Sequence, residues 1–444
     1  MNILNAKSTD LSAALAALSA KLGSGAGMVS QSGMEKTVAV FGKPLTPAEV
    51  VRTLIAAVRE RGDEAIIEYV RKLDGATLTP DRFRLSPDAL RDAWDLTPEP
   101  VRAALQRARD NIRRFQEHIR PPTPSTQRNA EGGFVGINHR PLRRVGLYIP
   151  AGLASTVLMT AVPASVAGVS EIALATPCNR EGMPSREVLA AAYIAGVTEV
   201  YRVGGALAIA ASACGTRTIP RVEKICGPGN TFVTLAKKEL YGEVDLDMLA
   251  GPSEVLVIAD GKAEPRFIAA DMLSQAEHNP AAAVLLTPEE KIARRTLEAL
   301  EAQLPRLSRQ AAARDCLERY GFIGVTRDLD HAVELANQFA PEHLELAVAK
   351  PDALLPKIRA AGAVFMGQFT PEPVGDYVAG PSHVLPTGGT ARFFSGLGVY
   401  HFMRTMSVIH YDRDALRKTA ADVDVLARAE GLDAHARSAT IRFE

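Results

Sequence analysis

From Val145 onward, short apolar runs alternate with helical stretches, and this alternation limits the chain to a parallel α/β architecture. VGLYIP, EIALATP, TEVYRVG and KICGP read as strands. A helical stretch follows the first. A helix over Ser185–Ala195 has Ser185 as N-cap and Gly196 past its end. GALAIAASAC is a third helix, and Asn230 opens a fourth. The pattern then repeats. EVLVIAD, AAVLLT, FIGVT, LELAV and AVFMG read as strands, separated by helices over Arg266–His278, Glu289–Leu304, Asp330–Phe339 and Leu354–Ala361. Two α/β units are expected, since 444 residues exceed one ordinary core.

The flanks differ. Residues 11–18 repeat apolar positions at helical spacing and predict an amphipathic helix docked on the body or on a partner subunit. Without a basic start or an unbroken apolar run it does not read as a signal peptide. Residues 23–34 (GSGAGMVSQSGM) read as a linker. Pro47–Leu73 and Pro87–Ile119 read as helical, and residues 121–134 as a polar loop. From about Gly398 the alternation stops, and the tail reads as mainly helical and able to reach another subunit.

Lysine plus arginine number 51, as do aspartate plus glutamate, which leaves no net field for nucleic acid or an anionic membrane. Thr156–Pro177 is the most apolar stretch, but Pro163, Ser165, Ser170 and Glu171 interrupt it, and a membrane span is rejected. Cys178, Cys214, Cys226 and Cys316 form no Cys-x-x-Cys pair and read as small buried thiols of a reducing compartment, here the cytoplasm.

No G-x-G-x-x-G follows a strand. Gly204-Gly205 and Gly227-Pro228-Gly229-Asn230 each follow a strand and open a helix, where backbone N–H groups can meet a phosphate or simply make a tight turn. SQAEH places Gln275 and His278 three apart on one predicted helix, so both can face one ion or remain surface polar groups. PEHLE sets Glu342 beside His343 at a strand start, a carboxylate–imidazole pair suited to acid/base work. Asp376 and His383 share a Gly/Pro-rich loop, and Glu430 and His435 flank Gly431. A Gln, His, Asp, His donor set suits zinc, manganese or cobalt better than a thiolate-loving ion.

VGGALAIA, KICGPGNTFV, GPSEVLVIAD, LSQAEH, PEHLE, GDYVAGPSHVLPT and AEGLDAHA, taken in order, resemble the histidinol dehydrogenase family over residues 35 to 440. The resemblance implies two incomplete Rossmann-like α/β domains in a homodimer with shared active sites. It implies oxidation of L-histidinol to L-histidine with NAD⁺, and one zinc ion per subunit. By position, Gln275, His278, Asp376 and His435 match zinc ligands, and Glu342 and His343 the catalytic pair. Ser253, His383 and Glu430 match substrate contacts, joined by His343 and the zinc ligands. Tyr148, Asn230 and the position of Leu207 match NAD contacts, although the family has glutamine where Leu207 stands. Ala151 replaces a glycine in a shortened loop. The expected division is residues 1–34 as N-terminal helix and linker, 35–147 with 255–397 as one α/β domain, 148–254 as the NAD-side domain, and 398–444 as the tail. Two other readings use the same residues: a related dehydrogenase of another polar alcohol, and a zinc hydrolase or inactive zinc-binding scaffold.

Overall fold

Buried strands of a parallel sheet are apolar on both faces, and the runs after Val145 become such strands in the computed structural model. It describes residues 1, 3–25, 31–278 and 280–444. In chain order the strands are β1 (Ile3–Asn5), β2 (Ser125–Arg128), β3 (Phe134–Pro141), β4 (Arg144–Tyr148), β5 (Glu171–Ala175), β6 (Glu199–Tyr201) and β7 (Lys224–Cys226). They continue as β8 (Asp245–Leu246), β9 (Ser253–Ala259), β10 (Ala281–Thr287), β11 (Gly321–Val325), β12 (His343–Ala347), β13 (Ala363–Met366) and β14 (Met403–His410).

Two all-parallel sheets form, ordered β6-β5-β4-β7-β8 and β1-β11-β10-β9-β12-β13. Each unit counts its own strands 3-2-1-4-5, the doubly wound order one strand short of six. This is the incomplete Rossmann-like arrangement expected. In such sheets the strand order reverses between the first and fourth strands, and that gap is where a ligand crevice opens. Here it lies between β4 and β7 in one sheet and between β9 and β12 in the other.

Residues 45–118 pack on the middle unit. Helices Pro47–Arg61 and Asp63–Leu73 bury Val50, Val51, Leu54, Ile55, Ile66 and Val70 in one core with Ala206–Ala211 of the middle unit. Leu90, Leu105 and Ile112 join a second core with Val157–Val162 and Val188–Ala192. Residues 45–118 therefore cover the two faces of the five-stranded sheet, with Asn111 also donating to the Val378 carbonyl. An amphipathic helix shows that it packs, but its pattern does not name the sheet it packs on.

The N-terminal segment is also part of its own chain's body. Leu11, Leu15, Leu18 and Leu22 are buried in the core of the six-stranded sheet, and β1 extends that sheet beside β11. The linker expected over 23–34 is helical at both ends, Leu11–Gly25 and Gln31–Phe41, and residues 26–30 lie outside the described residues. The polar loop and the tail together supply a third sheet, β14-β3-β2, antiparallel throughout. The tail then turns helical as expected, with Arg413–Ala429 and Asp433–Thr440. In place of the helix expected over Leu354–Ala361, a short helical turn Pro351–Leu354 runs into a 3-10 turn Leu355–Lys357, and residues 358–361 are not helical. Among the described residues no helix is long and apolar enough to cross a membrane. Three of the four thiols are buried and Cys214 is half-buried.

Candidate active site

The carboxyl ends of two central strands of one sheet face the amino ends of two central strands of the other. β4 runs into Pro150 and β7 into Gly227-Pro228-Gly229, at the carboxyl end of one sheet. β9 begins at Ser253 and β12 at His343, at the amino end of the other. A cavity of about 300 Å³ lies between these strand ends, lined by Pro150, Gly227–Asn230, Ser253, Glu342 and His383. A second cavity of about 540 Å³ continues past Asn230 and Ser253 to His278.

His343 is buried, and its protonation follows from its partners. Nδ1 lies 3.2 Å from the backbone carbonyl of Glu254. A carbonyl only accepts, so Nδ1 carries the proton and Nε2 carries the lone pair. Nε2 is buried without a hydrogen-bond partner, 3.8 Å from Glu372 Oε1 and 3.9 Å from Asp376 Oδ1. Desolvation pulls the His343 pKa down to about 3, so the ring is a neutral proton acceptor at ordinary pH. Gln275 Oε1 stands 3.3 Å from Nδ1.

The N–H of the same Glu254 donates to Glu342 Oε2 at 3.1 Å. One residue's backbone thus holds both members of the pair. Burial raises the Glu342 carboxyl well above the usual carboxylate range, although Ser253 and the Glu254 N–H favour its ionised form. Desolvation and the neighbouring Glu372 push Asp376 up to about 8. A group this reluctant to ionise alone becomes a good ligand when a cation supplies the missing charge. His343, Glu372 and Asp376 offer atoms all within 4.8 Å of one another. His383 is fixed by Asp376 O at 2.9 Å from Nδ1 and Thr156 Oγ1 at 3.1 Å from Nε2.

Of the residues read from sequence, Ser253, Gln275, His278, Glu342, His343, Asp376, His383 and Asn230 gather here. The helix Pro265–Ala276 ends before His278, which sits in the following turn rather than on the same helix face as Gln275. Tyr148 is buried, and its hydroxyl accepts from Gly205 N at 3.2 Å. Glu430 and His435 stand exposed at the end of the tail's longer helix and on its last one, and their side chains join no hydrogen bond or ion pair with the pocket among the described residues. The sequence reading missed Glu372. The helix Glu372–Tyr377 brings it one turn before Asp376, a spacing that Pro371 and Pro373 disguised as loop.

Leu207, at the position matched to an NAD contact, is 1% exposed and packed in the core that covers the five-stranded sheet. Leu207→Gln would bury an unpaired amide. The expected result is a loss of about 1–3 kcal/mol, read as a lower melting temperature, with NAD⁺ affinity unchanged. Tighter NAD⁺ binding without loss of stability would put the side chain at the cofactor instead.

Paired sheets of dinucleotide-binding order, meeting over a buried imidazole with a free Nε2 and a neighbouring carboxylate, define an α/β enzyme of the dehydrogenase type. The comparisons give the family. A family model described as histidinol dehydrogenase matches residues 45–443. Histidinol dehydrogenase from Aquifex aeolicus is 50% identical over 396 residues, 88% of this chain and 91% of that protein. The one from Rhodopirellula baltica is 46% identical over 449 residues, 98% of this chain and 95% of that protein. The crystal structure of histidinol dehydrogenase from Elizabethkingia anophelis superposes with a TM-score of 0.87 at 36% identity, covering 92% of this chain and 95% of that one. The chain belongs to the histidinol dehydrogenase family and is an oxidoreductase.

Proposed function

We propose that this protein oxidises L-histidinol through histidinal to L-histidine, the closing steps of histidine biosynthesis, with two NAD⁺ as hydride acceptors and one zinc ion per subunit. The observation that carries the reading is the His343 geometry: Nδ1 committed to the Glu254 carbonyl and Nε2 buried with nothing to bind. Such an orphaned lone pair costs free energy unless a substrate uses it.

The donor chemistry around it fits a cation. Gln275, His278, Asp376 and His435 of the partner subunit would hold zinc. Bound there, the ion supplies a template for the imidazole and amino nitrogens of the substrate, and NAD⁺ at Tyr148 and Asn230 supplies the hydride acceptor. His343 Nε2 takes the alcohol proton as hydride leaves the carbinol carbon. Ser253, His383 and Glu430 of the partner subunit hold the substrate's polar groups. Glu342 then takes a proton from water as its oxygen adds to the aldehyde, and a second hydride leaves the hydrated carbon. Its raised pKa makes it a strong base once ionised. The homodimer is part of this reading, supported by Val425 and Leu426, each 65% exposed on the tail.

The test is NADH formation from NAD⁺ and histidinol by the zinc-loaded protein. Turnover is expected. No NADH with histidinol, but turnover of another polar alcohol, would select the related dehydrogenase.

A further inference from the structure

A charged pair is buried behind the wall of the active cavity. Lys237 of the helix Thr231–Leu240 and Asp247, just after β8, are bonded to each other with side chains 3% and 0% exposed. Breaking such a pair is costly, yet replacing both charges with neutral groups of similar volume is often harmless. Its stabilising value alone does not account for it. What the pair holds does.

Both side chains grip the backbone of one residue, Gly227. Asp247 Oδ2 accepts the Gly227 N–H at 2.7 Å, and Lys237 Nζ donates to the Gly227 carbonyl at 3.0 Å. Asp247 Oδ1 also takes the N–H of Met248 at 2.6 Å. Gly227 needs a grip. Its φ is +117, and a Cβ there would lie 2.0 Å from the carbonyl oxygen of Tyr148. That close approach is where β7 leaves the sheet beside β4, at the crevice. The loop that follows, Pro228-Gly229-Asn230, lines both cavities and opens a helix whose Asn230 side chain caps its own N–H groups.

We infer that the buried Lys237–Asp247 pair is a positioning device that fixes the Gly227–Asn230 loop and so sets the affinity for the dinucleotide. Neither residue touches the reacting atoms; they act through the backbone of Gly227. The inference rests on the proposal that NAD⁺ binds beside Asn230.

The experiment is equilibrium dialysis of NAD⁺ against the zinc-loaded protein, with melting temperature and zinc content measured on the same samples. Lys237→Met/Asp247→Asn removes both charges and leaves an acceptor for the Gly227 N–H. Its NAD⁺ Kd should rise about tenfold, the worth of one hydrogen bond to a charged donor, and KM for NAD⁺ should rise more than kcat falls. Zinc content should hold. Lys237→Met alone is the second variant, should the double one fold poorly, and should weaken NAD⁺ in the same direction. A purely structural pair would move the melting temperature and leave Kd alone. Wild-type Kd in either folded variant overturns the inference. A wild-type protein that binds no NAD⁺ overturns the cofactor reading beneath it.

Discussion

His343→Ala is expected to lower the rate of histidinol oxidation by a factor of about 10²–10⁴, the worth of a positioned proton acceptor. The reason is geometric. Nε2 is the single buried lone pair of the ring, and the Glu254 carbonyl keeps the proton on the other nitrogen. Glu342→Ala should fail differently. Only the aldehyde step needs an activated water, so Glu342→Ala should be slow when histidinal is supplied directly. Its alcohol step should suffer less than that of His343→Ala. Burst kinetics with histidinol and steady-state rates with histidinal separate the two steps. Oxidation of histidinal by Glu342→Ala at the wild-type rate would remove the role assigned to that carboxyl.

The second large effect concerns the tail. His278→Ala and His435→Ala are each expected to lose bound zinc, by elemental analysis, and to be inactive. Mixed under conditions of subunit exchange, they should regain activity, because one site of the mixed dimer carries both changes and the other carries neither. This rests on the proposed homodimer with shared sites; within one chain His435 stands exposed on the last helix while His278 lines the cavity. No recovery despite proven exchange would mean that the tail serves its own chain.

Much of this was legible in the sequence, for a physical reason. Strands buried on both faces are apolar runs bounded by glycine and proline, so β4 to β7 and β9 to β13 stood out, apart from the two-residue β8. β14 did not. It is largely exposed and pairs with β3 at an edge, so no apolar run marks it. The helix Gln310–Tyr320, rich in charge, left no strong signal either. Packing partners were the least readable link, as the helices of residues 45–118 show.

The site divides the same way. Glu342-His343 and Gln275 with His278 are local motifs. Lys237 and Asp247 are ten positions apart on a helix and a strand end, and only the fold makes them a pair. Leu207 stands at a family position matched to NAD, and its apolar side chain is buried in the core.

The claim that one site performs two successive oxidations is tested most directly by stoichiometry. Limiting histidinol is incubated with excess NAD⁺ and the zinc-loaded protein, and NADH and histidine are counted at completion. The account predicts two NADH for each histidinol, with histidine as product and no free histidinal caught by an aldehyde trap. One NADH for each histidinol, with histidinal released to the trap, would contradict it.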